Sequence, residues 1–310
     1  MDIVYRRATP TEVRAGLEQI LSGGGGGGAL RPKIDEFLQF ADRRGIDLGQ
    51  MWIADLNGAV VWAVLPVVSP GKSMLLMAPN NYTSTAALRP VATQLVENVC
   101  ADAKSRGDTQ LAQVLIDPHD QEPQEVFAAA GFTRLAELVY LQVNVRRRGA
   151  RNSGPTLPAG LRWQTYSAAT HDAFARAILA SYQNSLDCPG LNGVRDIEDI
   201  IAGHKATGEF DPKLWFLLTQ GDQPHGVLLL SRLPRVDTAE LVYVGLAPEA
   251  RGKGLGNVIM QHALDTLARE GLSRLSLAVD STNTPALHLY YRHGMQRLGS
   301  RVAMLRILEA

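Results

Sequence analysis

The sequence predicts a mixed α/β fold laid out twice in tandem, and three observations lead there. The chain has 310 residues, more than one ordinary domain of roughly 150. The expected order of strands and helices in residues 1–145 recurs in residues 161–310. The string A-G-F-T-R-L at 130–135 also has a counterpart in H-G-M-Q-R-L at 293–298, which sets Gly131 163 positions before Gly294. A repeated string within a repeated element order points to duplication. Between the copies, residues 146–160 read R-R-R-G-A-R-N-S-G-P-T-L-P-A-G. Gly, Pro and Ser replace the apolar pattern there, as in an interdomain linker. The expected division is therefore 1–145, a linker at 146–160, and 161–310.

Composition narrows the class. Hydrophobic residues make up 45%, enough for a core in each half. Charges balance at 31 against 31, so no bias toward nucleic acid or an anionic membrane is expected. The linker arginines lack aromatic neighbours and read as solvated. Two cysteines, Cys100 and Cys188, cannot build a disulfide framework and suit a reducing compartment. No apolar run is long enough to span a bilayer, and the first residues hold no signal-peptide core. A soluble, cytoplasmic protein is expected.

In the first half, residues 3–7 read as a strand. Thr9-Pro10-Thr11-Glu12 then reads as a helix start with Thr9 as N-cap and Pro10 at the first helical position. Six glycines, 23–28, follow that helix and read as a loop rather than a phosphate cradle, since no strand precedes them. A helix is expected over 33–44. Strands follow at 51–55 and 59–68, joined by an Asn57-Gly58 hairpin turn, and another at 73–77. Asn80–Arg106 reads as mostly helix, Leu111–Ile116 as a strand, Glu122–Ala130 as a helix and Leu135–Val145 as a last strand.

In the second half, strands are expected at 161–166, 214–220, 226–233, 239–246, 275–279 and 297–308. Helices are expected at 171–185, 196–204 and 255–270, and from Thr284-Pro285 to Gly294. The most informative stretch is Ala239–Gly256, A-E-L-V-Y-V-G-L-A-P-E-A-R-G-K-G-L-G. Its first part is rich in Val, Tyr and Leu and favours a strand. Gly252, Gly254 and Gly256 make a turn, and Leu255, Val258, Ile259, Leu264 and Leu267 then follow helical spacing. The first amides of a helix lack internal partners and, with the helix dipole, form an anion site. Arg251 and Lys253 add positive charge. The spacing is neither the Rossmann G-x-G-x-x-G nor Walker A.

R-G-K-G-L-G after a strand ending in Leu-Ala-Pro-Glu closely resembles the pyrophosphate loop of the GNAT (Gcn5-related N-acetyltransferase) family. The resemblance implies acetyl-CoA as co-substrate, its pyrophosphate held by Arg251, Gly252, Lys253, Gly254, Leu255 and Gly256. It also implies pantetheine contacts to the backbone of Val244, Leu246 and Ala247. A second signature of the family, N-x-x-A-x-x-L-Y-x-x-x-G, is met by Asn283, Ala286, Leu289, Tyr290 and Gly294, with Met295 where Phe is often found. The family's Asn binds the pantetheine arm, and its Tyr protonates the departing thiolate, which implies those roles for Asn283 and Tyr290. A phenol of pKa about 10 is a fair proton donor to a thiolate whose acid has a pKa of about 8.5. Tyr291 is the adjacent alternative, about 100° round the helix.

Glu240 is the expected general base. Tandem enzymes of the mycothiol synthase type carry a Glu in a similar E-x-x-x-V-G-x-x-P setting, and water, a terminal carboxylate or the substrate itself are alternatives. The repeat offset places Phe127 on Tyr290 and Asp120 on Asn283, and no R-G-x-G-x-G precedes the first half's third helix. The N-terminal copy is thus expected to be degenerate and catalytically silent. His119, in Asp-Pro-His-Asp, makes a loop rather than a metal set; no metal is expected. His288 and His293 read as surface residues. Cys188 lacks a His/Asp set, and 186–193 reads as a substrate-side loop. The whole implies transfer of an acetyl group to a primary amine of a small molecule. A non-catalytic acyl-CoA sensor or scaffold, and an enzyme acting on protein N-termini or lysines, are the alternatives.

Overall fold

A computed structural model describes residues 3–22, 30–79, 88–145, 157–233 and 237–308. The six-glycine run, the expected helix start at 80–87 and most of the linker lie outside the described residues. The chain forms two compact units. Unit 1 comprises Met1–Ala136 with Arg301–Ala310, and unit 2 comprises Glu137–Ser300.

Unit 1 holds β1 (Ile3–Arg7), α1 (Val13–Leu21), α2 (Leu30–Arg44), β2 (Trp52–Leu56), β3 (Ala59–Ser69), β4 (Ser73–Met77), α3 (Arg89–Arg106), β5 (Leu111–Ile116) and α4 (Gln121–Ala129). Strands β1 to β4 pair antiparallel in chain order. Asn57 and Gly58 join β2 to β3 with φ 54° and 86°, as a type I′ turn requires. Helix α1 begins at Val13, later than the Thr9 cap predicts. The Glu12 carboxylate is held at the turn instead, accepting from the Thr9 amide and hydroxyl and from Arg6.

Unit 2 holds β7 (Leu161–Thr165), α5 (His171–Tyr182), α6 (Ile197–Ala206), β8 (Trp215–Gln220), β9 (Gln223–Arg232), β10 (Thr238–Leu246), α7 (Leu255–Arg269), β11 (Arg274–Asp280) and α8 (Thr284–Arg292). The order repeats that of unit 1. Each unit buries one apolar cluster on each sheet face. In unit 2, α5 and α6 cover Trp215, Leu217, Val227 and Leu229, while α7 and α8 cover Leu228, Leu230, Ala239, Leu241, Leu275 and Leu277.

The units do not divide where the expected boundaries at 145 and 161 would place them. Strand β6 (Thr133–Asn144) runs on from unit 1 and pairs antiparallel with β11, from Leu138↔Asp280 to Asn144↔Arg274. Strand β12 (Gln296–Ile307) runs on from unit 2 and pairs with β5, from Val302↔Ile116 to Ile307↔Leu111. Burial explains the exchange. Val139 and Leu141 join the core under α7, and Val302 and Met304 join the core under α3. An alternating apolar strand satisfies either sheet equally well, so its sequence does not name its partner.

Substitutions at the two ends of β12 should therefore differ sharply. Val302 is 0% exposed and Leu298 is 64% exposed. Val302→Asp buries an unpaired charge and is expected to lower the thermal midpoint by on the order of 10 °C. Leu298→Asp should leave it within about 2 °C. Calorimetric scans of the two variants check this.

Candidate functional site

The site begins where two parallel strands part. β10 pairs with β9 along its length, with a bulge between Leu241 and Tyr243. It pairs with β11 only at Thr238, Ala239 and Glu240. Beyond that point one edge of β10 faces no strand, and its backbone donors and acceptors look into a cavity of about 560 Å³. Leu241–Leu246 form one wall and Ala278 and Val279 the other. The start of α7, the inner face of α8 and the segment Ser181–Asp187 close the rest.

Glycine lets β10 run this close to α5. A Cβ on Gly245 would stand 2.4 Å from Ser181 Oγ and 2.9 Å from the Tyr243 hydroxyl. Ser181 Oγ donates to the Ile178 carbonyl at 2.7 Å. Its one proton is thereby used, so the Tyr243 hydroxyl donates to Ser181 Oγ at 2.7 Å.

The glycine loop opens at the other end of the cavity. Gly252 and Gly254 have φ 72° and 77°, a left-handed conformation that side chains resist. A Cβ on either would meet no atom within 4 Å, so the space above the loop is clear. Gly254 is the N-cap of α7, whose first amides point away from the helix. Gly256 faces α8, where a Cβ would touch Leu289 Cδ2 at 3.1 Å. The side chain of Leu255 is buried in the core and that of Lys253 is exposed.

Arg251, which lines the cavity, and Ala247 both make hydrogen bonds to backbone groups. Arg251 donates to three backbone carbonyls: Leu246 from Nε at 3.0 Å, Asn184 at 3.2 Å and Ser181 at 2.8 Å. It ties the end of β10 to the C-terminal end of α5, where free helix carbonyls attract a cation. Ala247 does not line the cavity. Its amide donates to the His225 carbonyl at 2.9 Å and its carbonyl accepts from Ala250, so it has no backbone amide to offer a coenzyme. Val244 and Leu246 do line the cavity.

Asn283 caps α8, its Oδ1 accepting from the Ala286 amide at 3.3 Å. Its side chain also donates to the Asp187 carboxylate. Tyr290 is 4% exposed and lines the cavity. Burial first, and then the charge of Asp187, hold its phenol well above the ordinary range. Tyr291 is 45% exposed and lies outside the lining. Glu240 is half-buried, opposite Ser231 on β9 and Ser276 on β11, and the cavity wall begins at the next residue, Leu241.

Residues 183–295 match the model of the acetyltransferase (GNAT) family. That stretch, which lies within unit 2, is similar to the GNAT family. A mycothiol acetyltransferase of Gordonia bronchialis is 33% identical over 187 residues, which are 58% of this chain and 58% of that one. Another, of Beutenbergia cavernae, is 31% identical over 54% of this chain and 57% of its own. The match thus spans less than two thirds of either relative. Among solved structures, a GCN5-related N-acetyltransferase of Sphaerobacter thermophilus superposes with a TM-score of 0.68 at 17% identity, covering 99% of this chain and 96% of that one. The tandem GNAT protein of the clavulanic acid biosynthesis pathway gives 0.55 at 16% identity over 100% and 99% of the two chains. Both share the fold.

Sequence reasoning passed over Ser181, Tyr243 and Asp187 of this cavity. Asp187 was legible only as part of a loop facing substrate, because its burial depends on contacts with the end of β11. The Cys188 thiol is pushed up to about 12 by burial and by the charges of Asp187 and Asp280, which makes it a poor nucleophile. His288 is exposed at the cavity rim. Among the described residues no group of His, Cys, Asp and Glu is arranged to hold a metal ion. No described helix is long and apolar enough to cross a membrane.

Unit 2 also carries histidines that resist protonation. His262 on α7 stacks on Trp163 at 4.3 Å and meets the edge of Phe216 at 4.5 Å. Its Nε2 has no hydrogen-bond partner among the described residues. Burial pulls its pKa down to about 4, and that of His204, buried beside Tyr243, also to about 4. An unfolded histidine titrates near 6.5. Between pH 6.5 and 4 the unfolded chain therefore binds more protons, and stability falls on acidification. The thermal midpoint should drop across that window, and His262→Phe should flatten the drop, with His204 accounting for part of what remains. Scanning calorimetry from pH 7 to 4.5 measures both slopes.

Proposed function

We propose that unit 2 transfers an acetyl group from acetyl-CoA to a primary amine of a small molecule by direct attack. One observation carries this reading. A single cavity joins a glycine loop at a helix N-terminus to a buried phenol, through an unpaired strand edge. Those are the three recognition elements a long thioester with a pyrophosphate at one end requires. The loop amides after Gly252 and Gly254 suit the pyrophosphate. The free edge of β10 at Val244 and Leu246 suits the amide-bearing pantetheine arm, which extends as an added strand would. When bound, the coenzyme supplies an activated acyl carbonyl.

The chain's own groups then divide the work. Backbone amides of β10 at the bulge polarise the carbonyl oxygen. Tyr290, kept protonated by burial and a neighbouring negative charge, holds the proton that the leaving sulfur needs. Arg251 positions the loop rather than gripping phosphate with its whole guanidinium. The relatives named mycothiol acetyltransferases favour a small-molecule acceptor over a protein. A half-open cavity with walls on several sides fits that choice.

Titration calorimetry with acetyl-CoA tests the coenzyme site. Wild type should bind in the micromolar range, and Gly254→Glu, which adds a carboxylate at the anion site and strains a left-handed residue, should bind at least about 50-fold more weakly. No binding by wild type would remove the coenzyme assignment. Tyr290→Phe should bind acetyl-CoA as wild type does and lose roughly 100-fold in turnover of an acetylated amine. Unchanged turnover removes Tyr290 from the chemistry. Binding without transfer to any amine identifies a sensor instead.

A further inference from the structure

We infer that Asp187 receives the ammonium of the acceptor and takes the proton that frees its lone pair, an assignment that rests on the acyl-transfer reading above. Asp187 lies on the segment after α5 and lines the cavity together with Asn283 and Tyr290. Its place is set by a reciprocal clamp. The Asp280 amide, at the end of β11, donates to Asp187 Oδ1 at 3.1 Å, and the Cys188 amide donates to Asp280 Oδ2 at 3.2 Å. Asp280 is itself 3% exposed and accepts from the Thr282 amide and hydroxyl. Cys188 holds φ 45°, a strained value for a residue with a side chain. The clamp therefore keeps Asp187 where a relaxed loop would not.

The charge balance of this end of the cavity is one-sided. Among the described residues neither Asp187 nor Asp280 has an ion-pair partner, and Asp187 accepts only from an amide and from Asn283. A carboxylate has about four acceptor positions, so capacity remains toward the cavity. Asp187 is half-buried, a carboxylate partly removed from water without a cation is destabilised, and a substrate ammonium is the missing cation. Glu240 sits within the sheet pairing and outside the lining.

The step balances as follows. The Asp187 carboxylate takes one proton from the ammonium. The freed nitrogen pair forms the C–N bond while the carbonyl π pair moves to oxygen. Collapse restores C=O and breaks C–S, and the sulfur leaves with the Tyr290 proton. The second proton of the new amide nitrogen returns to the Tyr290 oxygen, and Asp187 passes its own to water. Amine and thioester become amide and thiol, with one proton released from the original ammonium.

The groups facing Asp187 are Tyr182 of α5, Tyr243 of β10, Asp280 of β11, Cys188 of its own loop and Tyr290 of α8, with Arg195 and Arg251 acting on the first two. The Tyr182 phenol is pushed up to about 12, and the others with raised values also stay protonated at neutral pH. Burial raises the Asp187 carboxyl above its usual range, so the acidic limb of kcat/KM should lie above that range too.

The experiment uses the full chain, acetyl-CoA and a panel of glucosamine, cysteamine, spermidine and a lysine-containing peptide, followed by thiol release. The fastest amine is taken forward. Asp187→Asn should bind acetyl-CoA within about twofold of wild type, lose at least about 100-fold in kcat/KM for the amine, and lose the acidic limb. Glu240→Gln should lose less than about tenfold. Asp187→Ala should regain activity with added formate, which supplies the missing carboxylate and covers the case in which the Asn variant misfolds. Activity of either Asp187 variant within about threefold of wild type overturns the assignment. So does loss without formate rescue and with the acidic limb retained, which marks a structural role. A wild type that binds acetyl-CoA and acetylates no amine removes the acyl-transfer reading and this one together; an active wild type with active variants removes only this one.

Discussion

The parting of β10 from β11 after Glu240 is the constraint on which the rest of unit 2 depends. A paired edge there would leave no cavity, and the backbone groups that face it would be spent on a neighbouring strand. The fold sustains the gap from both sides. β9 holds β10 along its other edge, and β6 holds β11 from Arg274 to Asp280. Each strand thus keeps one full ladder while giving up the other, and the loss falls only on groups that a ligand backbone can satisfy. The bulge between Leu241 and Tyr243 re-aims the strand at that point, as bulges beside functional sites do. Gly245 then lets it lie against Ser181.

Unit 1 repeats the device with apolar side chains. β4 pairs with β5 only at Ser73–Leu75 before the two separate. The space between is about 190 Å³ and is lined by apolar groups including Leu76, Met77, Val114 and Ile116. Phe127, the counterpart of Tyr290, is 1% exposed and packs edge-on against Phe132 at 5.1 Å. A phenyl ring fills the position and has no proton to donate. The same backbone topology therefore yields a small space with apolar walls in one copy and a larger cavity with polar groups in the other.

Much of this was legible in the chain. The Gly-rich loop, the Asn283–Gly294 signature and the duplicated element order each follow from local spacing, and local spacing is what a linear sequence records. The exchange of β6 and β12 was not legible, because Val139 and Val302 fit either sheet and only long-range pairing separates the choices. The engagement of Arg251 and Ala247 by backbone groups was hidden for a similar reason: their partners, Ser181 and His225, lie 70 and 22 residues away in the chain. Asp187 escaped notice because its importance is a matter of burial. Nothing in Leu-Asp-Cys-Pro marks a carboxylate that the end of β11 will hold half-buried at a cavity wall.

That burial bears on why this end of unit 2 is built against its own stability. Two linked carboxylates, Asp280 buried and Asp187 half-buried, have no cation beside them among the described residues, a cysteine is held at a left-handed φ, and a strand edge goes unpaired. Each feature disfavours the folded chain taken alone. They fall on one segment, Asp187–Cys188, and on the strand end it clamps, beside two apolar clusters that cover the faces of the sheet. Several local rules that fail together in one place are what a site shaped by ligand interactions leads one to expect. A coenzyme along the strand edge and a cation at the carboxylates would relieve two of the three departures at once. The relief would be largest with both present, because each excludes water from the other's polar groups.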